Sequence, residues 1–137
     1  MDAIEIMRIL GEDLRVRFHK EELDLAILYF LKMMKDERII MINENNHPHA
    51  IMAYSLTDDP DVFLKKDTWD YLPQNLLGKT LYVEKLFSKG WNKELRTVFE
   101  KMIIQLHPHV EYGLWYRYGL WGDRKVISKR RLQNVRD

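Results

Sequence analysis

Apolar residues recur at helical spacing through the first quarter of the chain. Ala3, Ile4, Met7 and Leu10 share one face before Gly11, and Leu14 and Phe18 extend it, so the N-terminus reads as helix. From Glu21 onward, Leu23, Ala26, Ile27, Phe30, Leu31 and Met34 keep the 3.6-residue period, and Glu21 and Glu22 suit the positive end of the helix dipole. The period then changes. Arg38 to Ile42 is a short β-rich run, Asn43 to Pro48 is dense in turn formers, and Ala50 to Leu56 is a second apolar run, which together predict an antiparallel hairpin. Thr57 to Pro60 offers a cap and a proline for a short helix near 60–67. The less regular stretch through Trp69, Pro73 and Gly78 reads as a surface excursion.

Thr80 to Phe87 predicts a strand, interrupted by Ser88, Lys89 and Gly90. Asn92 can then cap a helix whose apolar face is Leu95, Val98, Phe99, Met102, Ile103 and Leu106, with Pro108 as its stop. From Val110 to Tyr118 a strand puts Tyr112, Leu114, Tyr116 and Tyr118 on one face and Trp115 and Arg117 on the other. Leu120 to Asp123 reads as a turn into a last strand, Arg124 to Leu132. The order is α-α-β-β-(α)-β-α-β-β, which predicts an α/β (α+β) protein with a mixed, mainly antiparallel sheet flanked by helices.

Composition narrows the class. A length of 137 residues, with 46% hydrophobic and 31% charged residues, suits one packed domain over 1–137. A net charge of +1 argues against nucleic acid or an anionic membrane as the partner, although the charge is unevenly placed. The segment 124–137 carries Arg124, Lys125, Lys129, Arg130, Arg131 and Arg136 against the single acid Asp137, so the rest of the chain is net acidic. Charges alternating along a strand of this kind belong at a sheet edge, where they discourage unwanted pairing, or on a surface that grips an acidic partner. Zero cysteines exclude disulfides, thiolate metal sites and a cysteine nucleophile. With no apolar run near the ~20 residues needed to span a bilayer and no basic leader, the expectation is a cytoplasmic protein.

The order of elements, with a turn and helix after the strand Leu81 to Phe87, resembles the GNAT superfamily of N-acetyltransferases. The stretch that carries the resemblance is Leu81-Tyr-Val-Glu-Lys-Leu-Phe-Ser-Lys-Gly90-Trp-Asn-Lys-Glu-Leu95, within a match over residues 38–132. In that family this strand splays from its neighbour and the following loop aims its amides at the pyrophosphate of acyl-coenzyme A. The resemblance therefore implies cofactor contacts from Leu86, Phe87, Ser88, Lys89, Gly90, Trp91, Asn92 and Lys93. The physical basis is general, since first-turn amides lack intrahelical acceptors and carry partial positive charge. Two departures stand out: the loop has one glycine, with Trp91 and Asn92 where a small residue is usual, and the last connection is shortened to Leu120 to Asp123.

That short connection is also similar to the toxin-activating lysine acyltransferases and to small acetyltransferase-like proteins of phages. In the former, a histidine and a strand acid are the functional pair, which implies His19 and Glu84 here. The resemblance implies an enzyme transferring an acyl group from acetyl-coenzyme A, or another acyl-coenzyme A, to an amine-bearing acceptor. Glu84 would take the amine proton and Tyr116, or Tyr118, would protonate the leaving thiolate. Each residue has a plainer alternative: an exposed strand carboxylate for Glu84, core packing for the tyrosine stripe, and an ordinary tight turn for Gly90. The alternative for the whole chain is a noncatalytic interaction or assembly module of the same fold, phage-encoded and forming a homodimer through the edges of the hairpin 112–132. The basic last strand would suit an acidic carrier protein or the cofactor's adenosine phosphate. His47-Pro48-His49 and His107-Pro108-His109 invite a metal reading, but two His-Pro-His triplets are not a ligand spacing and read instead as a hairpin turn and a helix stop, so no metal is expected. Trp69, Trp91, Trp115 and Trp121 are scattered, which suits packing rather than base stacking.

Overall fold

The computed structural model describes residues 2–118 and 125–132, and side chains within that range other than those of 115–118 and 125–130. Its elements are α1 (Ala3–Arg8), α2 (Lys20–Lys35), β1 (Ile39–Glu44), β2 (His47–Thr57), α3 (Pro60–Lys65), β3 (Thr80–Ser88), α4 (Lys93–Leu106), β4 (Tyr112–Tyr118) and β5 (Lys125–Arg131). This is a mixed α/β protein whose sheet has the strand order β1-β2-β3-β4-β5. β1 pairs antiparallel with β2, β3 parallel with β4, and β4 antiparallel with β5. The basic strand β5 is thus at a sheet edge. The turn expected at Leu120 to Asp123 lies outside the described residues. No helix among the described residues is long and apolar enough to cross a membrane.

The chain divides into two compact units. One comprises Met1–Ala53, Lys65–Pro73 and Lys85–Gly90; the other comprises Tyr54–Leu64, Gln74–Glu84 and Trp91–Asp137.

The first unit is built on an apolar cluster. Asp2 caps α1 by accepting the Glu5 N–H at 2.8 Å, and α1 passes into a π-helical turn over Ile9–Asp13 closed by Leu14 N–H to Ile9 O at 3.0 Å. The helix ends there instead of running on to Phe18, because Arg15 takes a left-handed φ of 57° that no helix can continue. α2 lays Ala26, Tyr29, Phe30 and Met33 into a cluster with Ile6, Ile9, Leu10, Ile51 and Ala53. Its buried stripe differs from the expected one, since Leu23 and Leu31 are exposed and Tyr29 and Met33 are inside. Tyr29 and Phe30 meet edge to face at 5.3 Å, and Trp69 meets both.

Glu37, at φ 57°, turns the chain out of α2 into β1. The β1–β2 hairpin turns at Asn45 and Asn46, whose φ values of 53° and 65° are those of a two-residue type I′ turn, the type that matches strand twist. The stretch 65–73 is more than a surface excursion, because Trp69 and Tyr71 pack on the cluster. It is tied down by a fully buried Arg38, which donates to Leu72 O at 2.8 Å, approaches Asp36 at 3.4 Å and stacks 4.9 Å from the Tyr71 ring.

In the second unit α4 starts as expected, with Asn92 Oδ1 accepting the Leu95 N–H at 2.8 Å. Leu95, Phe99 and Ile103 are buried, as the period predicts; Val98 and Leu106 are exposed, and Glu100 is buried in their stead, with Arg96 3.7 Å away one turn earlier. Beyond β2, Gly78 passes so close to Thr57 that an added Cβ would lie 2.5 Å from its backbone nitrogen. Leu56 is held at both backbone groups, its N–H by Gln74 Oε1 at 3.0 Å and its carbonyl by Asn75 N–H at 2.9 Å.

Candidate functional site

The candidate base, Glu84, lies in β3 within the second unit. β3 and β4 pair through Thr80↔Tyr112, Leu81↔Gly113 and Tyr82↔Leu114, and β3 continues to Ser88 past these partners. Glu84 follows the last of these pairs by two residues, so it stands where β3 has left its parallel neighbour. Its carboxylate accepts a hydrogen bond from the hydroxyl of Ser55, a fully buried residue of β2. A carboxylate held by a buried hydroxyl is fixed in orientation, which is the first requirement for a positioned base. No local pattern in the sequence marks Ser55, because its pairing with Glu84 spans 29 residues and two strands.

Tyr54, the residue before Ser55, points to the opposite face of β2 and is buried too. Its hydroxyl meets His107 Nε2 at 3.0 Å, with the two rings edge to face at 5.7 Å. His107 is also the C-cap of α4, its N–H donating to Ile103 O at 2.7 Å. Burial, and then the neighbouring charge of His109, hold the His107 pKa below the ordinary histidine value. This tyrosine–histidine pair likewise escapes a reading of the sequence, which takes His107 only as part of a helix stop.

The loop residues divide between the two units. Leu86 is partly exposed, and Phe87 packs against the first unit's cluster, 6.5 Å edge-on from Phe18. Ser88 and Lys89 line a cleft of about 470 Å³ with Glu12, Asp13, Leu14 and Arg15. The Lys89 N–H, one of the amides expected to meet a phosphate, donates to His49 O at 3.0 Å. Gly90 has open space around a built Cβ, so neither close packing nor a turn constraint demands glycine there. Trp91 packs on Phe99 at 5.7 Å, Asn92 is the cap, and Lys93 is the first residue of α4. At this helix start the N–H groups of Lys93 and Glu94 precede any intrahelical acceptor, so a small anion can be accommodated by backbone alone.

His19 is the exposed residue before α2, its side chain making no cap hydrogen bond, and it belongs to the first unit. Tyr116 and Tyr118 lie in β4, but their side chains are outside the described residues. The two His-Pro-His triplets serve the hairpin and the helix stop: His47 opens β2 after the Asn45–Asn46 turn, His49 Nδ1 meets Glu44 Oε2 at 3.1 Å, and His107 caps α4. Among the described residues, no three histidines or carboxylates gather where they could hold a metal ion.

No protein-family model matches the chain, and a search of curated proteins finds no match either.

Proposed function

We propose that the second unit carries out acyl transfer from a coenzyme A thioester to an amine, with Glu84 as the base. The observation that supports this reading is the Ser55-held carboxylate of Glu84, placed just beyond the last paired residues of β3 and β4. In the step proposed, the amine nitrogen attacks the thioester carbonyl carbon, Glu84 takes the amine proton, and the carbon–sulfur bond breaks to give an amide and the coenzyme thiolate, which takes the proton back from Glu84 and leaves as the thiol. Positioning is asked to supply most of the acceleration, since no covalent enzyme intermediate is formed. Donor phosphates would meet the first turn of α4, where Lys93 adds charge.

The second reading, a noncatalytic module of the same fold, is favoured by two observations. The Lys89 amide is engaged by His49, and the basic strand β5 occupies a sheet edge. A thermal-shift series with acetyl-coenzyme A and longer thioesters separates the two. Donor at a hundredfold over Kd should stabilise the protein by about 2.7 kcal/mol. Gly90→Ala, which fills open space, should keep the shift, and Gly90→Glu should abolish it. In a turnover assay with a small panel of primary amines, Glu84→Gln should lower kcat by at least about a hundredfold with donor binding intact. Absence of both shift and turnover favours the module.

A further inference from the structure

The exposed face of α2 has an internal symmetry that a solitary helix does not need. Leu25, Leu28 and Leu31 are 55%, 51% and 52% exposed, although the same helix buries Ala26, Tyr29, Phe30 and Met33 on its other side. At 100° per residue, Glu21, Asp24, Leu25, Leu28, Leu31, Lys32 and Lys35 all fall on one side of the helix. Leu28 lies at the centre of this face with Leu25 and Leu31 about 60° to either side, two acids lie at its amino end and two lysines at its carboxyl end.

These positions are symmetric about Leu28. Leu25 and Leu31 stand three residues to either side, Asp24 and Lys32 four, and Glu21 and Lys35 seven. We infer that α2 pairs with α2 of a second copy of this chain, antiparallel, about a two-fold axis at Leu28. In that arrangement Leu28 meets Leu28, each Leu25 meets a Leu31, each Asp24 meets a Lys32 and each Glu21 meets a Lys35. Every acid of the face finds a lysine, and every leucine a leucine. A parallel pairing would set acid on acid and lysine on lysine, so the charges select the antiparallel one.

The spacing fits as well. Residues 21, 24/25, 28, 31/32 and 35 advance in steps of three and four, the seam of two helices crossing at about 20°. An interface of this kind is isologous, with one patch used by both copies, so it closes at two and does not propagate into fibres. Glu22, which lies off this face, is held by the Trp69 indole N–H at 3.1 Å, and Lys32, on the face, lies 5.7 Å from the Tyr71 ring.

Size sets the strength. A 16-residue helix is about 24 Å long. A seam confined to one such pair lies below the roughly 1,200 Å² of a stable standard interface. The dimer is therefore reversible, and it weakens with salt because exposed ion pairs contribute only about 0.2–1 kcal/mol each.

Sedimentation velocity of the whole chain over about 1 to 300 μM tests this, with the midpoint giving Kd. The wild type should pass from monomer to dimer and no further, at a lower concentration in low salt. Leu28→Glu should stay monomeric with unchanged Tm and circular dichroism, since the side chain is half in water. The decisive pair is E21K/D24K and K32E/K35E: each alone should be monomeric, and mixed in equal amounts they should form a heterodimer, because one face is then wholly basic and the other wholly acidic. A wild type that stays monomeric throughout, a dimer that survives Leu28→Glu, or a mixed pair that fails to associate would each overturn the assignment.

Discussion

The two compact units treat their polar groups in opposite ways. In the first, the interior is apolar and aromatic, and a fully buried cation, Arg38, holds the stretch 65–73 against that interior. The second unit turns side chains that can exchange protons inward from both faces of β2, Ser55 to Glu84 on one and Tyr54 to His107 on the other. The difference teaches where to look for chemistry. Buried polarity that closes a loop is part of the scaffold, whereas buried polarity that fixes a titratable group is a candidate for work.

The largest expected effect breaks the scaffold side of this comparison. Arg38→Ala leaves a cavity and strips Leu72 O of its donor, a loss of about 3 kcal/mol and on the order of 10 °C in Tm. Arg38→Met, which refills the volume, should recover part of that loss. A drop of under about 0.5 kcal/mol for Arg38→Ala would show that the buried cation is not what secures the loop.

A smaller effect tests the packing of the second unit. Gly78→Ala drives a methyl into the Thr57 backbone and should cost about 1–3 kcal/mol in chemical denaturation, even though alanine is elsewhere a benign change. An unchanged midpoint would mean that this crossing of chains gives way easily.

The smallest effect sharpens the polar side. Because the folded state holds the His107 pKa below its unfolded value, the unfolded chain binds the extra proton first as pH falls. The stabilising contribution of neutral His107 is whole above about pH 6.5 and is lost as pH drops through that value toward the lower folded pKa. Tm measured from pH 7.5 to 5 should therefore decline more steeply in the wild type than in His107→Asn. Parallel slopes would remove His107 from the account.

Much of this architecture was legible before any coordinates. The order of elements, the Asn92 cap, the hairpin and the placing of a charged strand at an edge all follow from local signals: period, caps and turn formers. The failures are equally physical. α2 carries apolar residues nearly all round, including Leu23, Leu25, Ile27, Leu28 and Leu31, so periodicity alone could not say which stripe meets the core. Size decided it, with Tyr29, Phe30 and Met33 filling the interior and the leucines left outside. Arg38 reads as a surface charge beside Glu37, and partners far along the chain, the carbonyl of Leu72 and the ring of Tyr71, help make its burial tolerable. For the candidate site, Glu84 and its strand were legible, whereas Ser55 and the Tyr54–His107 pair are contacts between elements distant in sequence, and no local pattern encodes them.

The Asn45–Asn46 turn also bears on the order of assembly. Two residues already suited to positive φ close the β1–β2 hairpin with almost no loop to organise, an event of about 1–10 μs. β3 and β4 are parallel, so their pairing must wait for the crossover through α4 to be laid down, a long-range closure of the kind that slows folding. The sheet thus has an early end and a late end, and the strand carrying Glu84 joins its parallel neighbour at the late one.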